Sequence, residues 1–199
     1  MLVKSMGIFV DTRELNKRSK EFAIGDIVYL NGDLVIARDQ AHKRLSESSS
    51  ILNDIVGLPV YHCGPIAKLA GKKYVFLAAG PTTSVRMEGF IDAILVKYHT
   101  PAFVGKGGFG DIGRASLKKH GAFYCELSGG ASAYAVSKIK KVNRMMFDDL
   151  GSAEALWVVE VKDFGPLLVT QDSHGNDLRS KLSGKARKDI DLILGRYGL

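Results

Sequence analysis

Between residues 74 and 140 the chain runs three times through one pattern: a short β-forming stretch, a loop rich in glycine or hydroxyl side chains, and a helix. The first unit is 74–79 (YVFLAA), the loop Gly80-Pro81-Thr82-Thr83-Ser84, and a helix to about Tyr98 whose Phe90, Ile91, Ile94, Leu95 and Tyr98 recur at helical spacing. The second is 102–104, the loop Gly105-Lys106-Gly107-Gly108-Phe109-Gly110, and a helix over 111–120. The third is 122–127, Ser128-Gly129-Gly130, and a helix over about 131–140. Neighbouring parallel strands need a crossover, and a helix is the common one, so the alternation predicts an α/β fold with a central, mainly parallel sheet covered by helices. All three loops then fall at the carboxyl edge of the strands, where such sheets bind ligands.

Both ends of the chain read as β-rich. Stretches 26–30 (DIVYL) and 34–37 (LVIA) flank Asn31-Gly32-Asp33, a hairpin signal, and 156–161 and 167–170 pair across 162–166. These hairpins predict a second, antiparallel β layer. Asp39 is placed to cap a short helix over 40–47, and 58–63 reads as a strand stopped by Gly64-Pro65. The first 20 residues show no clear period. A turn at Ser173-His174-Gly175-Asn176 precedes a polar tail in which Ile190, Leu192, Ile193 and Leu194 suggest a last helix. At 199 residues, with 46% hydrophobic and 25% charged, the chain fits one domain over 1–199, its motifs lying between about 24 and 178 and a basic tail over 179–199.

No apolar run is long enough to cross a bilayer, and residues 1–10 lack the apolar core and cleavage site of a signal peptide, which points to a cytoplasmic protein without a membrane partner. The net charge is +7, with lysines and arginines clustered in 138–144 and 179–188. No aromatic residues are interleaved there as a base-stacking platform requires, so these runs read as solvated faces and not as a nucleic-acid site. Cys63 and Cys125 are too few to ligate a structural zinc or an iron-sulfur cluster on their own. His62 and Cys63 read as packing residues, because neighbours on a strand point to opposite faces.

The loop after 74–79 carries the strongest chemical signal. Thr82, Thr83 and Ser84 offer three hydroxyls where a helix needs one N-cap, and Arg86 lies in the first turn, where the macrodipole disfavours a cation. A guanidinium, hydroxyls and free helix-start N–H groups together suit a carboxylate or phosphate. Lys106 in the glycine loop and Arg38 at a strand-to-helix junction offer further cations for the same anion, whereas His42 reads as surface polarity. Gly105, Gly107 and Gly110 also satisfy G-x-G-x-x-G, with Glu126 falling 21 residues after Gly105. Lys106 stands inside that loop, however, and three central units are fewer than the two full halves of a dinucleotide fold.

Taken together, Gly80-Pro81-Thr82-Thr83-Ser84-Val85-Arg86-Met87, Ala37-Arg38-Asp39-Gln40-Ala41-His42 and Val104-Gly105-Lys106-Gly107-Gly108 resemble the β component of iron-sulfur hydro-lyases, class I fumarate hydratase and L-tartrate dehydratase. Tyr61-His62-Cys63-Gly64-Pro65, Leu156-Trp157-Val158-Val159, Asp163-Phe164-Gly165-Pro166 and His174-Gly175-Asn176-Asp177 look similar too, in the family's order. Ser152-Ala153-Glu154 departs from the Met-Pro or Met-Glu often found there. The resemblance implies a swivelling β/β/α three-layer domain, the mobile partner of an α subunit that holds a 4Fe-4S cluster through its own three cysteines, assembled as α2β2. It implies that Arg38, Arg86 and Lys106 bind a small dicarboxylate, that Thr83 hydrogen-bonds it, and that Thr82 abstracts the proton. The expected activity is reversible hydration of fumarate to malate, with L-tartrate dehydration or a non-catalytic diacid-binding module as the other readings.

Overall fold

The computed structural model describes residues 7–196; the readings made on residues 1–6 and 197–199 lie outside the described residues. In chain order the elements are β1 (Ile8–Asp11), α1 (Leu15–Arg18), β2 (Ile27–Ala37), α2 (Asp39–Glu47), β3 (Val60–His62), β4 (Ile66–Ala70), β5 (Lys73–Ala78), α3 (Glu88–Tyr98), β6 (Ala102–Gly105), α4 (Asp111–His120), β7 (Phe123–Glu126), α5 (Ser132–Lys138), β8 (Ile139–Met146), β9 (Leu156–Gln171) and α6 (Leu178–Arg196). The main sheet has the order β1-β2-β3-β6-β7-β9-β8, and β9 also returns to pair with β2. Strands β2, β3, β6, β7 and β9 therefore close into a ring.

The sheet is mixed where the sequence pointed to a mainly parallel one. Strands β1, β2, β3, β6 and β7 run parallel, whereas β9 runs antiparallel to β2, β7 and β8. Neither expected hairpin forms. Residues 27–37 make one strand, in which Gly32, at φ +109°, takes up a register shift against β9 in place of a turn. Pairing decides the outcome: β1 lies along the first half of β2, β3 along its end, and β9 along nearly all of it. Residues 156–171 are likewise one strand. At the irregularity between the two long strands, Asp163 N–H donates to Asn31 Oδ1 at 2.9 Å.

A second, antiparallel sheet exists, but it is the two-stranded ribbon β4-β5. Residues 74–79 thus do not form a central parallel strand: in β5 only Phe76 is buried, against Trp157. Between β7 on one side and the three-residue β3 on the other, β6 has two parallel neighbours, and β3 fills the place expected for 74–79. The third expected helix stops at Lys138, and the basic run beyond it is an edge strand, β8, whose lysines and Arg144 face outward.

Side-chain alternation along the strands sorts the apolar residues into two cores. Leu34, Ile36, Tyr61, Val104, Phe123, Cys125, Trp157 and Val159 pack together on one face. Val35, Ala37, Val60, Phe103, Tyr124, Leu156 and Val158 face the other way, beneath α2, α3 and α4. Helix α3 supplies Ile91, Ile94, Leu95 and Tyr98, an i, i+3, i+4, i+7 stripe that is fully buried, each such side chain contributing about 1.5–3 kcal/mol by burial. Helices α3 and α4 end on left-handed residues, His99 and Gly121, which return the chain to the sheet. Among the described residues no helix is long and apolar enough to cross a membrane.

Candidate functional site

The hydroxyl loop is held as an extra short strand at the carboxyl edge of the sheet. Thr82 N–H donates to the His62 carbonyl at 2.8 Å, Lys106 N–H to the Thr82 carbonyl at 3.1 Å, and Ser84 N–H to the Lys106 carbonyl at 3.0 Å. Bridges Cys63 to Pro81 and Thr83 to Lys106 complete the pairing. The segment is thereby wedged between the ends of β3 and β6, and backbone hydrogen bonds tie Thr82 and Thr83 to Lys106.

Arg38 leaves the end of β2 in an extended conformation and places its guanidinium over Gly64, where a Cβ would stand 2.6 Å from Arg38 Cδ and 2.8 Å from Nη1. Its Nε lies 3.0 Å from Glu154 Oε1 and 3.3 Å from Asp39 Oδ2. Arg86 comes from the 3-10 turn Ser84–Met87 that leads into α3. It meets the same Asp39 with Nε to Oδ1 at 3.1 Å and Nη2 to Oδ2 at 3.0 Å, and Nη2 also donates to Thr82 Oγ1 at 2.6 Å. Burial works to raise the Asp39 pKa, but the hydrogen bond and charge of Arg86, with help from Arg38, outweigh it and hold the carboxyl below its usual value. The Lys106 side chain passes beside Gly129 and borders an open groove of about 450 Å³ shared with Ser128, Glu126 and Arg179.

The structure thus brings Arg38, Thr82, Thr83, Arg86 and Lys106 to one edge of the fold. It corrects the reading of how some of them are held. No hydroxyl of Thr82, Thr83 or Ser84 caps the following helix: Thr83 is the residue at the cap position and makes no side-chain cap hydrogen bond. Asp39 does not cap α2 but lies inside its first turn and bonds the two arginines. His42 is fully buried, its Nδ1–H donating to the Arg38 carbonyl at 3.0 Å, because α2 turns that face onto the sheet. Glu154 stands in the stretch that departs from the family pattern, and no sequence motif assigns it a role. It holds Arg38 and accepts from Gln40 N–H at 3.0 Å across 114 residues, a separation that leaves no local signal.

The glycine fingerprint has a structural cause. The start of α4, where a pyrophosphate would sit in a dinucleotide fold, is taken by Glu88, whose Oε1 accepts from Gly113 N–H at 2.6 Å. Gly105 is a glycine because a Cβ there would run into Ser84 Oγ and stand 3.0 Å from Tyr124 OH. Gly107 and Gly108 occupy positive φ, +85° and +72°, and Gln171 pins the loop by accepting from Phe109 N–H at 3.0 Å and donating to its carbonyl at 2.7 Å. Cys63 and His62 are both buried, and burial pushes the Cys63 thiol up to about 12, so the pair packs and does not act as a nucleophile.

A family model described as Fumarase C-terminus matches residues 3–182. The chain belongs to the fumarase C-terminus family. It is 37% identical over 175 residues to the L(+)-tartrate dehydratase subunit beta of Escherichia coli strain K12, covering 86% of this chain and 87% of that one. A protein of Methanocaldococcus jannaschii named "Putative L(+)-tartrate dehydratase subunit beta" is 35% identical over 184 residues, 90% of this chain and 94% of its own length. Another relative, "Putative fumarate hydratase class I" of Geobacillus stearothermophilus, is 38% identical over 164 residues, 82% of this chain but 32% of its own length. The fumarase C-terminus fold thus occurs both as a chain of about this size and as one part of a longer chain, and the enzymes named are hydro-lyases. Among the described residues no three His, Cys, Asp or Glu side chains gather in a way that could hold a metal ion, and both cysteines are buried, so the described residues do not fit an iron-sulfur cluster.

Proposed function

We propose that this chain is the β subunit of a two-subunit class I fumarate hydratase, which adds water reversibly to fumarate to give malate. The observation that carries the reading is the Thr82 hydroxyl held 2.6 Å from the Arg86 guanidinium, at the edge where Arg38 and Lys106 also emerge. A threonine hydroxyl is a poor base unless cations stabilise its alkoxide, and Arg86 supplies that stabilisation directly. In this reading Thr82 takes the proton from the carbon next to the hydroxyl-bearing carbon of malate and returns it in the hydration direction. Arg38, Arg86 and Lys106 bind the dicarboxylate and Thr83 hydrogen-bonds it. Arg86 Nη1, which has no hydrogen-bond partner among the described residues, is free to meet a carboxylate. The 4Fe-4S cluster belongs to an α subunit in an α2β2 assembly, over which this chain closes as a swivelling domain.

L-tartrate dehydration is the second reading, supported by the two β-subunit relatives that match nearly end to end. Malate and tartrate are both four-carbon dicarboxylates whose hydroxyl leaves as a proton is taken from the neighbouring carbon, and the cations and hydroxyls here suit either. Assaying this chain with a cluster-bearing α subunit on both compounds tests the proposal. Hydration of fumarate exceeding turnover of L-tartrate is expected; turnover of tartrate alone would replace the reading with the second, and turnover of neither would remove both.

A further inference from the structure

Behind the site lie four buried polar side chains that the chemistry above does not use: His42, His62, Ser84 and Tyr124. Their hydrogen bonds have one polarity that leaves no hydroxyl proton unplaced. Gly108 N–H donates to Tyr124 OH at 3.4 Å, so the tyrosine proton is left to donate to Ser84 Oγ at 2.8 Å. The serine proton then donates to His62 Nδ1 at 2.8 Å, which puts the His62 proton on Nε2. On His42, Nδ1–H donates to the Arg38 carbonyl, which leaves Nε2 a bare acceptor. The two Nε2 atoms are buried with no partner, one a donor and the other an acceptor, on rings 4.9 Å apart.

We propose that His62, Ser84 and Tyr124 form one directed, neutral hydrogen-bond chain which, with the His42 ring packed edge-on against His62, sets the spacing of the three loops carrying Arg38, Thr82 with Thr83, and Lys106. Ser84 and Tyr124 are then positioning residues for the hydro-lyase site, and their role in turnover rests on the function proposed above. Each link joins different loops. Tyr124 joins the glycine loop to Ser84, Ser84 joins the hydroxyl loop to His62 at the end of β3, and ring packing against His62 holds His42, which binds the Arg38 carbonyl. Gly105 gives the chain its room, since any side chain there would enter the space of the Ser84 hydroxyl. Neutrality follows from the setting: full burial disfavours the charged form of both imidazoles.

The test compares Ser84→Ala, Tyr124→Phe and the double variant in the complex with the α subunit, with Tyr124→Phe as the milder change should Ser84→Ala fold poorly. A misplaced hydroxyl loop should lower kcat about 10- to 100-fold with KM changed far less, and the double variant should be no worse than the poorer single one. Amide hydrogen exchange in the same complexes gives a readout independent of activity. Exchange at Ser84, Lys106 and Gly108 should accelerate together in Tyr124→Phe while the amides of β9 keep their protection. The proposal is overturned if kcat per folded molecule stays within about twofold of wild type in both single variants, or if exchange at those three amides is unchanged or rises no more than in β9. If the wild-type complex turns over neither diacid, the functional reading fails and the exchange pattern alone decides whether the chain exists.

Discussion

Arg86 and Asp39, 47 residues apart, face each other as a two-point ion pair, Nε to Oδ1 at 3.1 Å and Nη2 to Oδ2 at 3.0 Å. The cation that stands at an unfavourable place for its own helix is therefore already balanced by a carboxylate of the same chain. Its Nε and Nη2 donors are taken by Asp39 and Thr82, and in the proposed function Nη1 is the donor that meets the ligand.

Replacing Arg86 tests that division. The pair is partly exposed, so Arg86→Ala is expected to change stability by no more than about 1 kcal/mol in denaturant unfolding. In the two-subunit enzyme the same change should cost about 2–5 kcal/mol of transition-state stabilisation, read from kcat/KM. Arg86→Lys should recover only part of this loss, because an ammonium cannot reproduce the fork. Wild-type kinetics in Arg86→Ala would remove the residue from the site.

Gly105→Ala should destabilise the fold by about 1–3 kcal/mol, the usual cost of forcing an extra group into a packed region. Its added methyl would press on Ser84 Oγ and Tyr124 OH. Gly129→Ala is the control: the atom nearest to a Cβ there is Lys106 Cδ, at 3.7 Å, an ordinary contact. Equal midpoints for Gly105→Ala and wild type in urea would show that the loop can yield and that Gly105 is not set by packing.

Acid should destabilise the chain through His42. Burial pushes its pKa from 6.5 down to about 4, against the opposing pull of the Arg38 carbonyl and the Asp39 charge. Between those values the unfolded chain binds a proton that the folded chain does not, so the contribution is fully present above pH 6.5 and is lost as pH falls towards 4. The loss amounts to about 3 kcal/mol from this group, and His62, lowered in the same direction by burial, adds to it. Urea unfolding at pH 7.5, 6 and 4.5 should show this slope, and His42→Gln should flatten it; a stability independent of pH in wild type would contradict the buried neutral histidines.

The carboxyl-edge cluster was legible in the sequence because glycine, proline and hydroxyl residues mark where strands stop, and the loops at 38, 80–86 and 105–110 do meet there. Strand partnership was not. Asn31-Gly32-Asp33 carries the local chemistry of a turn, yet flanking strands on both sides keep Ile27–Ala37 in the sheet, and Gly32 serves a register shift instead. Stretch 74–79 reads as a buried strand by residue type, whereas three residues, Val60–His62, fill the central place because the backbone of the hydroxyl loop pairs beside them. Asp39, Glu154 and the Ser84 to Tyr124 link depend on contacts between residues far apart in the chain, which no local pattern encodes. His42, one helical turn after Arg38, reads as surface polarity because a helix period alone does not say which face meets the sheet.

In the proposed function Thr82 moves the proton while Arg86 stabilises its alkoxide. Thr82 caps no helix, so Thr82→Ala should leave the melting temperature close to that of wild type and still lower turnover by about 100- to 10,000-fold. Thr83→Ala should weaken substrate binding more than it slows proton transfer. The most direct measurement is solvent-deuterium exchange into malate by the reconstituted two-subunit enzyme carrying each variant. Exchange should be lost in Thr82→Ala and retained in Thr83→Ala, and normal exchange per folded molecule in Thr82→Ala would remove Thr82 from the proton transfer.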